Sequence, residues 1–333
     1  MRAIVYSQPG DPDVLRLTER PLPEPGPGEV RVQVRVSGVN PTDWKQRRGG
    51  VSFAEVVPNQ DGSGVVDAVG EGVPRSRVGE RVWLWEAAWQ RADGTAQEYV
   101  VLPARQAVPL PDHASFELGA SLGIPALTAH RCLTVSPAGP RRLAPGALTG
   151  RVVLVAGGAG AVGNAAIQLA RWAGATVVST VSGPDKAELA RAAGADVVVN
   201  YRTEHAAEAI RKLAPVGVDL VVEVAPAANA ALNLAVLGVG ATVAVYANDG
   251  ELTPAVWPLM QKNAGYQFVL VYTVPEPAKT HAVADVSAAV AAGALQIGAA
   301  SGLPLHHFPL DRAGAAHAAV EAGAVGKVLI DVS

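Results

Sequence analysis

The chain carries one cysteine, Cys132, in 333 residues. An internal disulfide framework and a Cys-based zinc cluster are both excluded, which suits a reducing compartment. Charged residues make up only 17% of the sequence, with a formal net charge of −3. A basic surface for phosphate backbones is therefore absent, and no nucleic-acid partner is expected. No apolar run reaches the roughly 20 residues that span a bilayer. The opening MRAIVYSQPGDPDVL also lacks the basic start and long apolar segment of a signal peptide. A cytoplasmic protein with no membrane partner is the expectation. Apolar residues, at 49%, are abundant enough to exclude a disordered chain. At 333 residues the chain also exceeds what one hydrophobic core usually serves, so two domains are predicted.

The texture changes along the chain. Up to about residue 125 it is rich in Pro and Gly, with short alternating segments such as EVRVQVRVSGV (29–39) and GSGVVDAVG (62–70). Val30, Val32, Val34 and Val36 fall on one face and Arg31, Gln33 and Arg35 on the other, the period of a half-buried strand. This part reads as an antiparallel β domain. From about 151, β-branched runs (VVLVA, TVVSTV, ADVVVN, VDLVVEVA, GATVAVYA, QFVLVYT) alternate with Ala-rich helical stretches. That alternation predicts βαβ units and a doubly wound parallel sheet, giving an α/β protein overall. YQFVLVYT (266–273) reads as the last strand of this sheet. After about 275 the pattern turns helical, passes through LPLHHFPLD with His306 and His307 on a loop between prolines, and ends in KVLIDV.

Between the strand 152–156 and a helix starting near Ala161 lie Gly158, Gly160 and Gly163, spaced G-x-G-x-x-G. The first allows a tight turn, the second lets backbone approach a pyrophosphate, and the third lets helix pack on strand. Gly158, Gly160, Ala161, Val162 and Gly163 are thus candidate dinucleotide contacts. An acid about 20 residues on would accept both ribose hydroxyls of NAD. Ser182 stands there instead, followed by Lys186. A hydroxyl with a nearby cation suits a 2′-phosphate, so NADPH is favoured over NADH.

These segments, in the order MRAIVYSQPGDPDVL, SGVNPTDWKQRRGG, VVDAVGEGV, VGERV, AQEYVVLP, LGIPALTAHRCL, the Gly-rich βαβ, GADVVVNYR and GKVLIDV, resemble the zinc-independent quinone oxidoreductases (ζ-crystallin-like) of the medium-chain dehydrogenase/reductase superfamily. The resemblance implies a GroES-like β-rich catalytic domain, residues 1–125 completed by 276–333, and a Rossmann NADPH-binding domain, 126–275. It implies that Lys186 and Tyr201 contact the 2′-phosphate, that Asn40 and Thr128 line the nicotinamide end, and that Tyr246 and Asn248 belong to the loop over the cofactor. Some relatives use an arginine near the C-terminus to reach the phosphates. This chain has Ala322 there, leaving Lys327 as the candidate.

Zinc-dependent relatives place a cysteine at the position of Asn40 and a His-Glu pair at Gln60 and Asp61, so no metal is expected. The implied reaction is hydride transfer from NADPH to a quinone or α,β-unsaturated carbonyl, with Lys45 the candidate donor to the developing enolate oxygen. Asp43 is read as capping or orienting its segment. Trp85 and Trp89 are either an apolar substrate wall or core.

Two readings compete. GASLG (119–123) matches a hydrolase nucleophile elbow, with Asp285 and His306 following in triad order, but PDHASFELGAS reads as a capped helical segment, which makes Ser121 structural. A cofactor sensor on the same fold is the non-enzymatic alternative. An apolar edge at 266–273 further predicts a homodimer.

Overall fold

Valine alternation builds the first sheet. In the computed structural model, which describes residues 1–332, Glu29–Val39 is a strand whose Val30, Val32, Val34 and Val36 are buried. On its other face Arg31 is buried, its guanidinium 3.0 Å from Asp67 and 3.1 Å from Glu24, while Gln33 and Arg35 stay half-buried. The strand is the hub of a seven-stranded sheet in the order Leu305–Pro309, Lys327–Asp331, Glu29–Val39, Asp61–Val69, Arg81–Leu84, Ala107–Pro109, with Tyr99–Pro103 also paired to the hub. Its neighbours pair antiparallel, except that Leu305–Pro309 runs parallel to Lys327–Asp331. LPLHHFPLD is therefore an edge strand and not a loop; proline is tolerated at such an edge because one side of the strand needs no N–H.

The chain divides into two compact units, residues 1–124 with 304–333, and residues 125–303. The return to the first unit comes at Pro304, not at 276 as expected from sequence. Helix Glu276–Ala291 belongs to the second unit, where it buries Ala282, Val286, Ala289 and Val290. The carboxylate of Asp285 also ties it there, accepting from the Leu143 N–H at 2.7 Å and pairing with Arg142 and with His130 at 2.8 Å.

The second unit holds a six-stranded sheet in the order Val197–Asn200, Thr176–Val181, Val152–Ala156, Val218–Glu223, Leu237–Val245, Gly265–Phe268, parallel throughout. Leu154, Val178, Val199, Val221 and Val243 form its apolar centre. Strand order reverses between Val152–Ala156 and Val218–Glu223, which makes that junction the topological switch point. The last strand is shorter than the 266–273 expected. It ends at Phe268, opposite the Val245 at which its neighbour also ends, and Val271–Thr273 turns into a short 3-10 helix. Among the described residues no helix is long and apolar enough to cross a membrane.

Candidate functional site

The glycine turn is built by steric exclusion. Strand Val152–Ala156 leads into Gly157, whose φ of +70° suits glycine. This is the tight-turn position, one residue before the Gly158 assigned to it from sequence. Gly158 is required for another reason: a Cβ there would lie 2.1 Å from Ser179 Oγ. At Gly163 a Cβ would come within 2.3 Å of the Gly157 carbonyl oxygen, so helix and turn meet backbone to backbone. Gly160 is exposed and caps helix Ala161–Trp172 without any side-chain cap. The first N–H groups of the helix, at Ala161, Val162 and Gly163, are thus left to an external acceptor at the positive end of the helix dipole. That arrangement fits a pyrophosphate.

At the end of the next strand, Thr176–Val181, Lys186 Nζ donates to Ser182 Oγ at 3.2 Å. Tyr201 is placed beside them by its N–H, which donates to Val181 O at 3.1 Å, and it is 50% exposed. Ser182, Lys186 and Tyr201 therefore share one corner of the sheet's carboxyl edge, with no acidic side chain at 182. Tyr246 follows strand Leu237–Val245; burial, with Cys132 and Glu223 nearby, drives its phenol pKa up. Asn248 is exposed, its Oδ1 accepting the Gly250 N–H, while Thr128 is buried in helix Gly123–Thr134.

The remaining assigned residues lie in the first unit. Asn40 precedes helix Pro41–Gly49, and Asp43 accepts the Asn40 N–H at 2.7 Å, the capping role read from sequence. The Asn40 amide is buried and engaged at both ends: Nδ2 donates to Asp61 Oδ2 and Oδ1 accepts from Lys327 Nζ, each at 2.7 Å. Lys327 is 1% exposed, and its Nζ also lies 3.4 Å from Asp61 Oδ2. Its assignment as a phosphate contact is thereby corrected: the ammonium serves an internal network. Gly38 makes room for it, since a Cβ there would fall 3.0 Å from Lys327 Nζ and 2.1 Å from the Ala120 carbonyl oxygen. Burial pulls the Lys327 pKa down and pushes those of Asp61 and Asp43 up, Asp43 further still through the charge of Asp61. Lys45 is exposed, its ammonium 5.7 Å from the Trp44 ring centre, and it does not join this network.

The competing elbow is a capped helix. Ser115 accepts the Leu118 N–H at the start of Phe116–Gly119, and Ser121 Oγ donates to the Glu117 carbonyl at 2.7 Å. Asp285 is spent on His130 and Arg142, and His306 on the Val325 carbonyl. Trp85 is buried, with the Arg105 guanidinium 5.4 Å above its ring. One residue of the turn escaped the sequence reading: Gly157, signalled by the GG doublet.

Residues 26–112 match the Alcohol dehydrogenase GroES-like domain family and residues 161–289 the Zinc-binding dehydrogenase family. Human quinone oxidoreductase is 28% identical over 337 residues, covering 99% of this chain and 97% of its own. A solved mycobacterial quinone oxidoreductase is 30% identical with a TM-score of 0.83, covering 99% of each chain. Escherichia coli quinone oxidoreductase, solved in complex with NADPH, is 25% identical with a TM-score of 0.79, covering 99% of this chain and all of its own. A GroES-like unit and a Rossmann unit in one chain, with quinone oxidoreductases similar along its whole length, place this chain in the medium-chain dehydrogenase/reductase superfamily, among the quinone oxidoreductases.

Proposed function

We propose that the protein is a cytoplasmic NADPH-dependent reductase that passes hydride to a quinone or an α,β-unsaturated carbonyl without a metal. The observation that carries this reading is the Ser182–Lys186 pair, at 3.2 Å, on the strand that follows the glycine turn. An acid at 182 would repel a 2′-phosphate; a hydroxyl and an ammonium attract it. Bound NADPH supplies the hydride from C4 of its dihydronicotinamide. The chain's own part is to hold the pyrophosphate on the Ala161–Gly163 N–H groups, grip the 2′-phosphate through Lys186 and Tyr201, and align the acceptor.

Metal independence rests on the Asn40, Asp61 and Lys327 cluster. The Asp61 carboxylate already accepts from Asn40, Lys327 and the Ile124 N–H, so a cation would have to displace a buried ammonium. No group of three or more His, Cys, Asp and Glu side chains suited to a metal occurs among the described residues. Lys45, exposed on helix Pro41–Gly49, is the proposed hydrogen-bond donor to the developing enolate oxygen. A homodimer is proposed through the edge strand Gly265–Phe268.

The test is oxidation of NADPH and NADH by the purified protein with benzoquinone, phenanthrenequinone and a simple enone. Turnover with NADPH at least about tenfold better, worth ~1.4 kcal/mol, is expected, and Lys186→Ala should erase the preference. Lys45→Ala should slow the enone selectively. Tight NADPH binding without turnover of any acceptor would favour the sensor reading instead.

A further inference from the structure

The two walls of the switch point are chemically opposite. On one side, the glycine turn offers the free N–H groups of a helix start. On the other stands Glu223, the last residue of strand Val218–Glu223 and 0% exposed. Its Oε1 accepts from the Ala225 N–H at 2.7 Å and from Asn229 Nδ2 at 2.9 Å, and its Oε2 from Asn233 Nδ2 at 2.7 Å. All three partners donate and none accepts a proton from it, so the geometry is that of a carboxylate. Among the described residues no lysine, arginine or histidine pairs with it. Three neutral dipoles therefore hold a buried negative charge that nothing cancels.

Most donors of the segment after Glu223 are already engaged. Pro226 has no N–H, the N–H groups of Ala227 and Ala228 go to Asp249 at 2.9 Å each, and that of Asn229 goes to the Ala225 carbonyl. This wall abuts the glycine turn, since a Cβ on Gly157 would lie 3.2 Å from Val224 Cγ1. One wall thus attracts anions and the other attracts positive charge. In a sheet of this order the first half takes one nucleotide and the second half the other. Ser182 and Lys186 mark the first half for the phosphorylated adenosine, which leaves the Glu223 wall for the nicotinamide.

We propose that Glu223 is a positioning residue whose buried charge favours the oxidised nicotinamide, a cation, over the neutral reduced ring. The proposal rests on the NADPH reading above. It implies that Glu223 lowers the cost of positive charge appearing on the ring as hydride departs, without touching the acceptor.

The experiment is calorimetric measurement of Kd for NADP+ and for NADPH in the wild-type protein, Glu223→Gln and Glu223→Asp, with melting curves to confirm folding. Glu223→Gln should raise the Kd for NADP+ about tenfold relative to that for NADPH, the scale of one unit charge at protein-like dielectric. Glu223→Asp keeps the charge and should leave the ratio within about twofold even if both affinities weaken. Equal weakening of both cofactors by Glu223→Gln, or a shifted ratio in Glu223→Asp, overturns the proposal, and the second criterion stands even where the Gln variant does not fold. Failure of the wild-type protein to bind either cofactor would instead overturn the NADPH reading.

Discussion

His317 sits 0% exposed in the first unit, its Nε2 2.9 Å from Asn59 Oδ1 and its Nδ1 without a partner. An acceptor facing Nε2 places a proton there, and burial keeps Nδ1 unprotonated and the ring neutral. Burial, and secondarily the charge of Arg47, push its pKa down to about 3. The unfolded chain takes up a proton on this ring below pH ~6.5, while the folded chain resists until about 3. The contribution is whole above the unfolded value and is lost progressively as pH falls across that window. Chemical denaturation of the wild type and His317→Gln at stepped pH should show the stability difference between them shrinking in acid, by at most ~1.4 kcal/mol per pH unit. A constant difference from neutral pH down to about 4 would contradict the assignment. Residues of this kind were hard to read from sequence: nothing in RAGAAHAAVEAG shows that its histidine meets an asparagine 258 positions away. Ser182 and Lys186 were legible because four residues bring them onto one turn. Lys327 was misread because its spacing from the C-terminus says nothing about which way the side chain turns.

At the scale of elements, legibility followed hydrophobic period and failed where pairing partners decide. The strands at 152–156 and 176–181 were plain as buried β-branched runs between glycine and Ala-rich helix. YQFVLVYT has the same composition, yet only Gly265–Phe268 became strand, because a strand needs a neighbour and the neighbour ends at Val245. His306 and His307 were read as loop since prolines flank them, whereas pairing with Lys327–Asp331 makes them strand. Helix Ala161–Trp172 depends on its closest backbone approach. Gly163→Ala puts a Cβ 2.3 Å from the Gly157 carbonyl oxygen, an overpacking that should cost about 1–3 kcal/mol by denaturation and weaken NADPH binding in a fluorescence titration. Unchanged stability and affinity would show that the turn yields without cost.

For the whole molecule, composition already required two cores and the switch in texture near 151 placed the second, while the return point at Pro304 depended on side-chain partners that no pattern reveals. The second unit leaves its sheet open at Gly265–Phe268, with Phe268 71% exposed and Leu270, Val256, Trp257 and Met260 exposed nearby. The proposed homodimer pairs this apolar strand edge with its own copy across a twofold axis. Sedimentation at micromolar concentration should therefore give a dimer, and Phe268→Lys with Leu270→Asp should give a monomer. A wild-type monomer would contradict the proposed assembly. The threading of the first sheet has a further consequence, in the order of synthesis. Its hub strand, Glu29–Val39, leaves the ribosome early but waits for Lys327–Asp331, the last described element to emerge, whereas residues 125–303 complete their own sheet in between. Until then Asp61 and Asn40 lack their ammonium, so a nascent chain stalled short of Lys327 has the strands of its second unit complete while the first unit still lacks the partner of its buried carboxylate.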